Sequence, residues 1–176
     1  NGGLQTALGS VYQMRGWPRR ALERHQMAYT LDPRDIAPRL GMYESYVQLQ
    51  RDDLARPLHD DLLARYPSQP AVQRMDRDWR AHRGWQLLAK VEGGRSSGGG
   101  GTSPLGNDDL HYGMEVASPV LNDRWRLFAF ADRRSVSFQD QDIDPLWIGA
   151  GVRYRFDRLD AEAAVMRPND SIGDTG

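Results

Sequence analysis

The chain has 176 residues, enough for one domain or two small ones, and its 39% hydrophobic and 27% charged residues suit a folded chain, not a disordered tail. It contains no cysteine, which excludes thiol catalysis, thiolate metal sites and disulfides, and no apolar run nears the roughly 18 residues that a membrane helix needs. The formal net charge of -1 hides a split: residues 1–84 carry 13 Arg against 10 acids, residues 85–176 carry 10 Lys and Arg against 14 acids.

The first half repeats itself. An offset of 34 residues aligns Tyr12 with Tyr46, Ala21 with Ala55, His25 with His59 and Pro33 with Pro67. Leu8, Gly9, Tyr12, Ala21, Ala28 and Pro33 fall at the spacing of the tetratricopeptide consensus, and the segment resembles that family. Its small residues let two antiparallel helices pack closely, and its Pro ends the second helix. In the second repeat Tyr43 stands for Gly9, Met42 for Leu8 and Leu62 for Ala28, which predicts re-sized contacts. Helices are expected over 4–15, 18–30, 36–50 and 54–65, with Pro18 opening one and Asp52 or Asp53 capping another. A fifth, 70–82, is polar over most of its surface and reads as the cap that closes a solenoid. Tyr12, Met14 and Tyr46 are expected in the core, and His25 and His59 at packing positions. Ser10, Gln13, Glu44, Val47 and Gln48 are expected to line the concave groove, where Gln13, Glu44 and Gln48 are candidate ligand contacts.

After residue 84 the period changes from 3.6 to 2. Trp85, Leu87, Ala89 and Val91 alternate with Gln86, Leu88, Lys90 and Glu92; Leu110, Tyr112, Met114 and Val116 alternate with His111, Gly113 and Glu115. Leu146, Ile148, Ala150, Val152, Tyr154 and Phe156 alternate with Trp147, Gly149, Gly151, Arg153 and Arg155, and residues 159–166 follow suit. Residues 125–137 fit less cleanly, because Phe128 and Phe130 share a face with Arg126. Each run has the length of a tilted strand crossing a bilayer. Connections alternate long and short (94–108, 120–123, about 138–144, 157–158), the rhythm of an outer-membrane barrel. Trp85, Trp125, Tyr154 and Phe156 near the short turns, with Tyr112 and Trp147 at the other end, would form its aromatic girdles. The polar face, with Lys90, Glu92, His111, Glu115, Arg153, Arg155, Asp160 and Glu162, is too charged for a dry sandwich core and suits a wet lumen. Glu92, Glu115, Asp160 and Glu162 are the candidate cargo contacts there.

Several motifs carry no chemistry. "GGRSSGGGGTSPLG" lacks the ending and helix of a phosphate loop, and "GAGVRY" lies inside a strand, where small inward residues would leave lumen space. "LHDD" at 58–61 reads as a solvated face, not a metal pair. No hydrolase motif appears, and the basic residues are dispersed, so the expectation is no enzyme, no cofactor, no metal and no nucleic acid.

The fold class is therefore α+β: a tetratricopeptide α-solenoid with its capping helix (1–84), then about five antiparallel strands of an incomplete transmembrane β-barrel (85–176). The opening without Met and the ending at "NDSIGDTG" read as an internal fragment. The run "SPVLNDRWRLFA", 118–129, with "GMEVASP" before it and the Gly-Ser loop before that, resembles the poly-β-1,6-N-acetylglucosamine export porins of Gram-negative bacteria, most closely over 85–165. That resemblance implies an outer-membrane conduit for a partly de-N-acetylated biofilm polysaccharide. It also implies periplasmic repeats that bind the polymer or its deacetylase, and a barrel set in outer-membrane lipid. A cellulose-type exporter, or a protein-binding scaffold with a soluble β domain, are the rival readings.

Overall fold

The computed structural model describes residues 1–95, 108–137, 142–143 and 145–168. The Gly-Ser loop, most of 138–144 and the last eight residues, on which several expectations fall, lie outside the described residues. The chain divides into two compact units: Asn1–Gly84 with Val120–Trp125 and Tyr154–Ala161, and Trp85–Pro119 with Arg126–Arg153 and Glu162–Gly176.

The first unit contains five helices, α1 (Gly2–Met14), α2 (Pro18–Leu31), α3 (Ile36–Gln48), α4 (Asp52–Arg65) and α5 (Pro70–Arg83). Local chemistry sets their ends. Gly16, at φ +71, makes the turn after α1, and Pro18 begins α2, where a missing N–H costs nothing. The Asp35 carboxylate accepts from the Ala37 N–H and caps α3. Helix α4 differs from expectation. Arg51 occupies its N-cap with no side-chain cap bond, because Asp52 is buried against His82 and Arg83 and Asp53 pairs with Arg51.

Each helix packs on the next, and α1 also touches α3. In α2, Ala21, His25 and Ala28 form the buried stripe; in α4 it is Asp52, Ala55, His59 and Leu62. A core of Tyr43, Ala55, Leu62, Val72, Met75 and Trp79 joins α3, α4 and α5. Met14, expected in that interior, is 81% exposed: α1 buries only Gly9, and Met14 sits at its outer end.

The two repeats solve the same packing problem differently. His25 lies in a slot between Gly9 and Gly41, and a Cβ on Gly9 would meet its ring at 2.6 Å, with one on Gly41 closer still. At the equivalent place in the second repeat Tyr43 replaces the glycine. Its ring lies 6.2 Å from His59 and 5.9 Å from Trp79, so a three-ring cluster fills the space. In the 58–61 run Asp60 is solvated as expected, but His59 is buried with its ring nitrogens 2.8 and 3.2 Å from Asp60 and Asp76, and Asp61 pairs with Arg39 and Arg65.

Two tight turns belong to this same unit. In the first, Asp123 (φ +59) receives Arg56 and, at 2.5 Å, Arg83, while the Val120 N–H donates to the Arg83 carbonyl. In the second, Asp157 (φ +56) receives Arg19 at 2.5 Å. The Phe156 ring, expected in a girdle, lies between the guanidinium groups of Arg51 and Arg124, at 4.8 and 4.3 Å. Trp125 and Tyr154 meet edge to face at 4.6 Å.

The strands are β1 (Gln86–Arg95), β2 (Asp108–Ala117), β3 (Trp125–Ser137), β4 (Asp142–Ile143), β5 (Leu146–Phe156) and β6 (Leu159–Pro168). They form one antiparallel sheet in the order β1-β2-β3-β5-β6, with the short β4, absent from the sequence reading, on β3. The register pairs Ala89 with Met114 and Met114 with Ala131, and on the other face Lys90 with Gly113 and Gly113 with Asp132. Directly paired residues share a face, so this register fixes one oily face and one polar face.

Candidate ligand-binding surfaces

The helical unit holds a cavity of about 270 Å³ between α3 and α5, lined by Leu40, Tyr43, Val47 and Met75 as apolar wall and by Glu44, Gln48, Arg74 and Asp78 as polar rim. Helical spacing explains the lining. Glu44, Val47 and Gln48 are one stripe of α3, and Ala71, Arg74, Met75 and Asp78 are one stripe of α5, beside the core stripe of Val72, Met75 and Trp79.

Burial raises the Glu44 carboxyl above its ordinary value; a hydrogen bond from Gln13 opposes that shift, and the charge of Asp78 adds to it. Of the expected groove residues, the structure thus gathers Glu44, Val47 and Gln48. Gln13 is not in the cavity lining but reaches it through its hydrogen bond to Glu44; its amide also donates to the Gly41 carbonyl at 3.2 Å, and its oxygen faces His25 Nε2 at 3.2 Å. Ser10 donates to the Thr6 carbonyl on its own helix and does not line the cavity. The sequence marks α5 only as a cap and leaves Arg74 and Asp78 unmarked, although the i, i+3, i+4, i+7 stripe from Ala71 to Asp78 signals a lining face.

The second surface is the polar face of the sheet. Arg153 stands at its centre. Its guanidinium donates to Glu115 at 3.0 and 3.3 Å and to Glu162 at 2.7 Å, and it lies 4.8 Å over the Phe128 ring. Glu92 sits 2.9 Å from Lys90 and 3.4 Å from His111, whose other nitrogen is 2.5 Å from Asp132. In the first unit, Asp160 takes Arg155 at 3.0 Å. All four candidate acids on the strands therefore already have cations, which the sequence pattern could not reveal. A shallow cavity of about 260 Å³ bordered by Lys90, Glu115, Phe130, Asp132 and Glu162 opens on this face.

Phe128 and Phe130, the misfits of the alternation, belong to the polar face. Their rings lie over Gly151 and Gly149 of β5, where an added Cβ would meet them at 2.6 and 2.5 Å. The two glycines make room for these two rings, where the sequence reading expects open space. The oily face carries Leu87, Val91, Met114, Leu127 and Val165, all more than half exposed. Among the described residues no helix is long and apolar enough to cross a membrane, and no group of three metal-ligating side chains occurs.

The chain is 32% identical over 165 residues to the poly-beta-1,6-N-acetyl-D-glucosamine export protein of Escherichia coli (strain K12), and equally to that of Escherichia coli O157:H7. The similarity covers 93% of this chain but 20% of each relative, so the chain spans about a fifth of the length of the curated relatives it matches. No family model matches, and no solved structure does. The resemblance carried by residues 85–165 thus extends through the helices as well.

Proposed function

We propose that this chain takes part in exporting poly-β-1,6-N-acetylglucosamine across the outer membrane. In this reading residues 1–84 are periplasmic tetratricopeptide repeats that bind the polymer or its deacetylase, and residues 85–176 are the first strands of the barrel that conducts it. The protein acts as a conduit and not as an enzyme.

The observation that carries the reading is the division of the sheet into two faces. Leu87, Ala89 and Val91 stand level with Val116, Met114 and Tyr112 on one face, all exposed, while the opposite face carries the Arg153 and His111 ion-pair networks. The long strands span 10 to 13 residues, enough to cross about 25–30 Å of hydrocarbon when tilted. Hydrocarbon accepts the first face, and water in a lumen accepts the second. Similarity to an exporter of this polymer supplies the cargo.

The paired state of Glu92, Glu115, Asp160 and Glu162 refines the mechanism. A cargo group meets alternating, mutually neutralised charges, so each contact is shallow and exchangeable, as passage requires. The test is extracellular polymer in cells that carry or lack the protein, together with Ala150→Arg, which puts a charge on the oily face. About 2–4 kcal/mol of lost stability, or failed assembly in the outer membrane, is expected from Arg near mid-bilayer. Normal assembly of that variant, or polymer export that ignores loss of the protein, would sink the reading.

A further inference from the structure

We propose that the two strand turns, Val120–Trp125 and Tyr154–Ala161, act as the caps of α4 and α5, so that this end of the helical unit becomes stable only once the strands carrying the turns have paired. Helix folding is thereby coupled to strand assembly. The coupling goes beyond the export reading and does not depend on the cargo.

Helix α5 ends unlike the other four. Helices α1 to α4 each close with their C-cap N–H on a carbonyl of their own last turn, whereas Gly84, after α5, is extended (φ -75, ψ -173) and forms no left-handed cap. The first strand turn closes α5 instead. The Val120 N–H donates to the Arg83 carbonyl at 3.0 Å, and Arg83 Nη2 donates back to the Val120 carbonyl at 3.2 Å. The Asp123 carboxylate gathers Arg83, at 2.5 Å, and Arg56 of α4. Arg83 also reaches Asp52 of α4 at 3.4 Å, so one guanidinium ties the turn to both helices. At the other end of α4, Arg51 holds the N-cap without a side-chain cap bond, and its guanidinium lies 4.8 Å over the Phe156 ring of the second turn.

The two turns are also fastened to each other. The Arg155 N–H donates to the Arg124 carbonyl at 2.8 Å, Arg124 lies 4.3 Å over Phe156, and Trp125 meets Tyr154 edge to face at 4.6 Å. They stand side by side because β3 and β5 are neighbours in the sheet, so the complete cap exists only after that pairing. The contacts differ in weight. Arg83 and Asp123 are each 20% exposed, whereas the Arg19–Asp157 pair of the second turn is far more open and adds little.

Asn122 and Asp123 have φ +51 and +59, a region that asparagine tolerates, so Asp123→Asn removes the charge and keeps the turn. In the full chain in detergent, Asp123→Asn with Phe156→Leu is expected to speed amide hydrogen exchange in α4 and α5 about ten-fold and to leave α1 unchanged, because the lost bonds act on the elements they touch. Unchanged rates in α4 and α5, or an equal rise through α1, overturn the proposal. A second measurement uses the natural chain. Pulse-labelled exchange during refolding into detergent is expected to protect the α5 amides no earlier than those of β3 and β5; protection of α5 before those strands overturns the coupling.

Discussion

The sheet's polar face and the helical cavity are both lined with acids, yet they differ in one respect. Glu92, Glu115 and Glu162 lie against Lys90, His111 and Arg153, whereas Glu44 and Asp78 border their cavity beside Arg74 and make no ion pair among the described residues. A paired acid holds its own wall together. Glu44 and Asp78 instead repel each other, so two acidic surfaces can differ in what their charges do. The two regions also share a device: a ring is seated on glycine, His25 on Gly9 and Gly41, and Phe128 and Phe130 on Gly151 and Gly149.

That shared device predicts the largest effects. Gly151→Ala is expected to cost about 3 kcal/mol, at the upper end for overpacking, because its Cβ strikes the Ala163 carbonyl as well as the Phe128 ring. Gly41→Ala is expected to cost about 1–3 kcal/mol, since the obstacle is a side chain. Combining it with His25→Ala, which removes that obstacle, is expected to cost less than the sum of the two single changes in a denaturant double-mutant cycle. Strict additivity would show that the ring is not what Gly41 accommodates.

The charge contrast comes next. Arg153→Leu leaves Glu115 and Glu162 without their shared cation and is expected to destabilise the protein by about 1–3 kcal/mol. Glu44→Gln is expected to change stability by less than about 0.5 kcal/mol and in the opposite direction, because it relieves repulsion from Asp78. Two losses of equal size would erase the distinction between paired and repelling acids.

A smaller effect is confined to the helices. Burial holds the His25 imidazole below its ordinary value, and its Nδ1 has no hydrogen-bond partner among the described residues. The unfolded chain therefore binds a proton there before the folded one does. Its stabilising contribution is present above the ordinary value of 6.5 and is lost as pH falls through the lower folded-state value. Melting followed by circular dichroism between pH 7 and 5 is expected to show a decline that His25→Gln flattens. The smallest effect is that of Arg19→Ala: the Arg19–Asp157 pair is solvent-exposed, and no change in melting temperature is expected.

Most of the architecture was legible in the sequence because it is written in local periods. A 3.6-residue period placed the helix ends within about two residues, and a period of 2 placed the strands and told Ala89 and Met114 from Lys90 and Glu115. The 34-residue offset marked His25 and His59 as packing residues, and both are buried. Periodicity fixes the face on which a side chain lies, but not what stands opposite it. Arg153 reaches Glu115 across 38 residues and His82 reaches Asp52 across 30, and no local signal encodes those meetings. Hence the caps expected at Asp52 and Asp53 became ion pairs, and the apparent gaps at Gly149 and Gly151 became seats for two rings. The unmarked Asp78 came to share a cavity with Glu44. Intrinsic propensity and alternation act over a turn or a strand, whereas the state of a charge is set by its whole surroundings, which exist only once distant elements have packed.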